Sequence, residues 1–87
     1  METYYLNRTH IRNLLFSASA PHPGSSEYYL LAEIYKKYAS SSKIPSTLKL
    51  TNSYSRKTVA KALLKLGFKI SNYSRIYGKT KFKIYPI

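Results

Sequence analysis

The sequence predicts a small α+β domain, a helical N-terminal part followed by a C-terminal two-stranded β-hairpin. Three observations carry that expectation. Residues 54–66 put Val59, Leu63 and Leu66 on one side of a helix and Lys57, Lys61 and Lys65 close to the opposite side. Phe68-Lys69-Ile70-Ser71 and Lys81-Phe82-Lys83-Ile84-Tyr85 alternate apolar and polar residues, the period of half-buried strands. Gly24, Gly67 and Gly78 all fall between elements, where the backbone needs freedom, and none falls inside one. A chain of 87 residues makes one domain, spanning 1–87.

The elements follow in order. Thr3-Tyr4-Tyr5-Leu6 reads as a short strand or as the lead-in to a helix. A helix starts at Asn7 or Thr9 and runs to about Ser17, with Ile11, Leu14 and Leu15 at helical spacing. Pro21-His22-Pro23-Gly24-Ser25-Ser26 breaks regular structure, so 1–24 reads as a helical extension ending in a Pro-rich loop. Ser25 or Ser26 caps the next helix, about 27–38, with Glu27 in its first turn and Lys36 and Lys37 at its C-terminal end, each charge placed to suit the helix dipole. Its apolar stripe is Tyr28, Leu31, Ile34, Tyr35 and Tyr38. The stretch 44–50 is ambiguous: Pro45 suits the first turn of a short helix, and the segment also reads as extended. Thr51-Asn52-Ser53 is a turn. The helix at 54–66 stops at Gly67, where a left-handed residue belongs. Residues 72–80 read as a long hairpin connection whose tip includes Gly78.

Charge narrows the function. Fifteen Lys and Arg face three acids, a formal net charge of +12. The acids are Glu2, Glu27 and Glu33, and thirteen of the fifteen cations lie from Lys36 onward. A merely solubilising surface mixes both signs, whereas a domain this one-sided repels itself and calls for an anionic partner. No run approaches the roughly 18 apolar residues of a membrane span. His10 to Ala20 faintly resembles a signal peptide, but its apolar core is only Leu14-Leu15-Phe16, so a cytoplasmic, nucleic-acid-associated protein is expected. There is no cysteine, and His10 and His22 form no ligand set with each other or with the acids. No two-acid arrangement, metal cluster or Gly-x-Ser-x-Gly elbow occurs, so neither catalysis, a metal nor a cofactor is expected.

The run Ser55-Arg56-Lys57-Thr58-Val59-Ala60-Lys61-Ala62-Leu63-Leu64-Lys65-Leu66-Gly67-Phe68, set between a helix, a short element and a turn on one side and a terminal hairpin on the other, resembles a winged helix-turn-helix. The resemblance covers 27–87. It implies that the helix at 54–66 is a recognition helix and the hairpin a wing. The stretch KTVAKALLKLGFKIS…YGKTKFKIYPI is also similar to the C-terminal winged-helix domains of poxvirus-type helicase–primase proteins and related mobile-element proteins. The phosphate loop of such a motor is missing, so a replication role would be that of a binding module. Transcription regulation is the other role this resemblance allows.

A helix fits the major groove and presents its N-terminal part to the bases. Ser53, Tyr54, Ser55, Arg56 and Lys57 occupy that part, with hydroxyls suited to phosphate and Arg56 or Lys57 suited to guanine. Lys61 and Lys65 suit backbone phosphates; an ordinary solvated lysine face is the competing reading. In the hairpin, Arg75, Lys79, Lys81 and Lys83 interleave with Tyr73, Tyr77 and Tyr85, an arrangement for the backbone or the minor groove, and for base stacking if the target is a single strand. Cross-strand packing competes for Tyr73 and Tyr77 and is favoured for Tyr85. The expected partner is nucleic acid, duplex DNA first, bound by a homodimer or by a larger replication or regulatory protein to which the domain is attached. RNA or single strands, and an acidic protein docked on a winged helix, are the other readings.

Overall fold

The computed structural model describes residues 2–17 and 21–87. Met1 and Ala18–Ala20, the last carrying the end of the signal-like stretch, lie outside the described residues. The chain runs β1 (Thr3–Tyr5), α1 (Arg8–Phe16), α2 (Ser26–Tyr38), β2 (Lys43–Pro45), β3 (Thr47–Leu50), α3 (Arg56–Lys65), β4 (Phe68–Ile76) and β5 (Lys79–Pro86). It is an α+β fold with three helices and two antiparallel sheets among the described residues.

Local chemistry explains where the helices begin. Asn7, Ser25 and Ser55 each sit in extended backbone, and each side chain accepts the amide hydrogen of the residue three further on, His10, Tyr28 and Thr58. Each cap satisfies an amide that the helix cannot. α3 ends on Leu66, and Gly67 follows at φ +92, in the left-handed region that favours glycine.

The ambiguous stretch resolves as extended. β2 pairs with β1, and β3 pairs with β5, with a break at Ser46 between them. The expected wing of two strands is therefore part of a three-stranded sheet in the order β3-β5-β4. The expected short element between α2 and α3 is a pair of strands. The physical reason is burial at period two: Ile44, Leu48 and Leu50 point into the core while Lys43 and Lys49 point out.

The long hairpin loop expected at 72–80 is also replaced. β4 and β5 run on to a two-residue tip, Tyr77-Gly78, closed by Ile76 opposite Lys79. Both tip residues have positive φ, +53 and +75, as a type I′ hairpin turn requires. Asn72 and Tyr73 together face Phe82, a bulge with Asn72 at φ +53. The extra residue changes the phase of β4 and turns Tyr73 toward the core.

The core lies between the inner face of the β3-β5-β4 sheet and the helices. Phe82 and Ile84 from the central strand meet Leu48, Leu50 and Phe68 from its neighbours, and Ile11, Leu15, Leu30, Leu31, Ile34, Val59, Ala62 and Leu63 from the helices. Each buried Leu, Ile or Phe contributes about 1.5–3 kcal/mol relative to exposure. Two expectations shift here. Leu30, not named in the stripe of α2, is buried, and Leu66 is only half-buried.

Candidate nucleic-acid interface

α3 is a strongly two-sided helix. Val59, Ala62 and Leu63 are buried against the core, and Arg56, Lys57 and Lys61 are exposed on the outer surface. Leu64, also exposed, stands among them. Beside this face lies a hollow lined by Lys57, Thr58 and Lys61 from α3, by Pro21, His22 and Ser25 from the loop before α2, and by Ser26 and Glu27 from its first turn. His22 thus borders the cationic helix face. Nothing in the local sequence foretold that, because the approach of the Pro-rich loop to α3 is a tertiary event.

The turn before α3 is held from three directions. Thr80, the only buried polar residue among those described, donates its hydroxyl to the Asn52 carbonyl at 2.8 Å and accepts the Tyr54 amide at 2.9 Å. Glu33 on α2 accepts the Thr51 amide at 2.8 Å and the Tyr54 hydroxyl at 3.2 Å. The Tyr73 hydroxyl donates to the Tyr54 carbonyl. Hydrogen bonds of this kind satisfy buried polar groups and fix the start of α3 relative to both α2 and the hairpin. The inward phase of Thr80 between Lys79 and Lys81 was a signal that could have found it, since an inward hydroxyl needs partners.

Several sequence-predicted site residues therefore have structural posts. Tyr54 lies before the helix rather than in it and is buried in the core, which removes it from the surface. Its burial, together with the nearby Glu33 carboxylate and against the donation from Asn52, pushes its hydroxyl above the ordinary tyrosine value. Tyr73 is half-buried and engaged with Tyr54. Ser55 spends its hydroxyl on the helix cap and on Thr58. Lys65 is exposed but is paired with Glu27 on α2 at 2.9 Å, and its carbonyl accepts from His10 Nε2 on α1 at 2.8 Å. Lys65 thus joins α2 to α3, and His10 joins α1 to the end of α3. Ser53, Arg56, Lys57, Lys61, Arg75, Tyr77, Lys79 and Lys81 are exposed. Tyr77 at the hairpin tip is 98% exposed.

The pairing of β4 with β5 divides the hairpin cations. Arg75 faces Thr80, whose side chain points inward, so Arg75 lies on the α3 side. Lys81 and Lys79 pair with Ser74 and Ile76 on the other face. Sequence reasoning grouped all three with α3; the strand register separates them.

Glu33 gives this region a pH signature. Desolvation raises its carboxyl, but the Thr51 amide, Lys37 at 3.3 Å and the Tyr54 hydroxyl outweigh that and hold it below the ordinary glutamate value of 4.5. The unfolded chain then binds the proton more readily, so the stability from Glu33 is present above about pH 4.5 and is lost as the pH falls through its lower folded value. Urea midpoints followed from about pH 7 to 3 should decline more steeply for the native chain than for Glu33→Gln. Parallel declines would assign the loss to other groups.

Among the described residues no three His, Asp or Glu side chains form a group able to hold a metal ion, and no helix is long and apolar enough to cross a membrane. Comparison with protein-family models, with curated proteins and with solved structures gave no match.

Proposed function

We propose that this domain binds nucleic acid, duplex DNA first, as a winged helix: α3 enters the major groove, and the β4–β5 hairpin acts as the wing. The observation that carries the reading is the exposed cationic side of α3, where Arg56, Lys57 and Lys61 have no ion-pair partner among the described residues while the opposite side is locked into the core. A solvated lysine face needs no such rigid mounting. The bonds from Thr80, Glu33 and Tyr73 to the turn favour a helix held at a set angle to the hairpin, the preorganisation that groove binding rewards.

Arg75, on the α3 side of the hairpin, and Tyr77 at its tip are then the wing residues nearest the duplex. An inserted Arg suits a narrow minor groove, and an exposed aromatic tip suits a wedge at a base step. Duplex is preferred to single strands because Tyr73, one of the hairpin tyrosines that would stack bases, is engaged in the fold. Ser53 and the amides at the start of α3 suit phosphate. The role fits transcription regulation or mobile-element replication, with the domain dimeric or attached to a larger protein.

The test separates reading from anchoring. Arg56→Ala and Lys57→Ala are each titrated onto a selected duplex and a scrambled one, beside Arg75→Ala. Truncating a base-reading side chain on α3 should cost about 1–3 kcal/mol on the selected site and blur the preference between the two. Truncating a phosphate-binding side chain on the wing should weaken both duplexes alike and lower the salt slope by about one. If only Arg75→Ala changes the preference, the wing is the reader. If none of the three weakens duplex binding, the interface lies elsewhere.

A further inference from the structure

The outer face of the β3-β5-β4 sheet carries a second cationic surface. β5 alternates outward Lys79, Lys81 and Lys83 with inward Thr80, Phe82 and Ile84. Register sets Lys49 of β3 directly opposite Lys81, and Thr47 opposite Lys83. On the other side Ser74 faces Lys81, Ser71 faces Lys83, and Lys69 faces Tyr85. Five lysines thus share one face with four hydroxyl residues, Thr47, Ser71, Ser74 and Tyr85.

This arrangement works against the fold. Like charges directly opposite across two strands are destabilising. Lysines do protect the open edges of sheets from pairing with other chains. That accounts for Lys49 and Lys69, on the outer strands, but not for Lys81 and Lys83, which lie on the central one. The two ion pairs among the described residues engage Lys37 and Lys65, so no carboxylate relieves the sheet lysines. Shallow hollows flank the Lys49–Lys81 pair, one lined by Ser74, Ile76, Tyr77 and Lys79, the other by Tyr38, Pro45 and Thr47.

We propose that this sheet face is a second binding surface for a phosphate backbone, so that one chain joins two segments of duplex. The inference rests on the nucleic-acid reading above and extends it. α3 packs on the inner face of the sheet, and its cationic side points away from it. The two surfaces therefore look in opposite directions across the core of a molecule whose shortest principal extent is 21 Å. One straight duplex cannot lie against both. Charge names the occupant: repeated lysines with interspersed hydroxyls match a line of phosphates.

Three proteins test the inference: the native chain, a sheet variant (Lys49→Gln, Lys81→Gln, Lys83→Gln) and a helix variant (Lys57→Gln, Lys61→Gln). Each is sedimented with a short duplex of about 12 base pairs at low salt, a length that leaves room for little more than one chain per face. The native chain should bind two duplexes as a monomer and carry a labelled duplex onto an immobilised one. Both variants should bind one duplex and lose the carrying activity. The sheet variant should melt no lower than the native chain, because its substitutions relieve repulsion; a merely structural role for the lysines would lower its melting temperature. Two duplexes on the sheet variant, or one on the native chain, overturn the inference and leave the α3 reading standing. Two on the helix variant with one on the sheet variant uphold the sheet surface and overturn the α3 reading. No duplex on the native chain overturns both. A sheet variant that keeps both duplexes yet releases polyglutamate assigns the face to an acidic protein and overturns the proposal.

Discussion

Phe82→Ala is expected to remove most of the stability of the domain, about 3–5 kcal/mol. Phe82 is fully buried on the central strand, flanked by Leu48 of β3 on one side and by the Asn72–Tyr73 bulge of β4 on the other. Its ring is the largest side chain that the core encloses completely. Truncation would leave a void lined by both the sheet and the helices, and neighbours tied into three strands cannot collapse into it. A domain of this length holds about 4–13 kcal/mol in total, so the variant should show a much lower urea midpoint or no cooperative transition. Lys83→Ala, one residue along on the solvent side of the same strand, should leave the midpoint within about 0.5 kcal/mol or raise it. If the two variants behave alike, the assignment of inner and outer faces is wrong.

Duplex affinity at the α3 face is expected to fall about a hundredfold between about 50 and 200 mM salt. That face offers Arg56, Lys57 and Lys61, and the hairpin adds Arg75 on the same side. Neutralising about four phosphates with these gives a log–log slope of about −3.6 on B-form DNA. Lys37 and Lys65 do not enter the count, because Glu33 and Glu27 already hold them. Fluorescence titration of a labelled duplex across that range measures the slope. A slope near zero, or no retention on nucleic acid at low salt, would remove the functional proposal, and a docking surface for an acidic protein would then be the better reading of the charge.

Much of the local structure is legible in the residues alone. α3 can be read because its two faces repeat within a few residues and Gly67 bounds its end by chemistry local to the backbone, while its start falls at the Ser55 cap, just after the Tyr54 expected to open it. The starts of α1 and α2 are readable to within two residues, and the structure takes Asn7 over Thr9 and Ser25 over Ser26 as the caps. The pairing of Phe68–Ser71 with the end of β5 follows from period-two alternation in two nearby runs. Charge asymmetry needs only composition.

What tertiary structure decided involves partners far apart in the chain. Ten tyrosines look alike in sequence, but Tyr54 is drawn into the core by Glu33 and Thr80, while Tyr77 is left bare on a two-residue turn. Whether 44–50 would be helix or strand depended on β5 being there to accept Leu48 beside Phe82. The bulge at Asn72 and Tyr73 set the phase of β4, which put Arg75 on one side of the hairpin and Ser74 with the sheet lysines on the other. Periodicity along a chain reports the face a residue would occupy in its own element; only the pairing of strands and the docking of helices determine which faces meet. The sequence by itself made the protein cationic and named its helices. The fold sorted the cations into two surfaces, because register brought Lys49 beside Lys81 and burial turned α3 the other way.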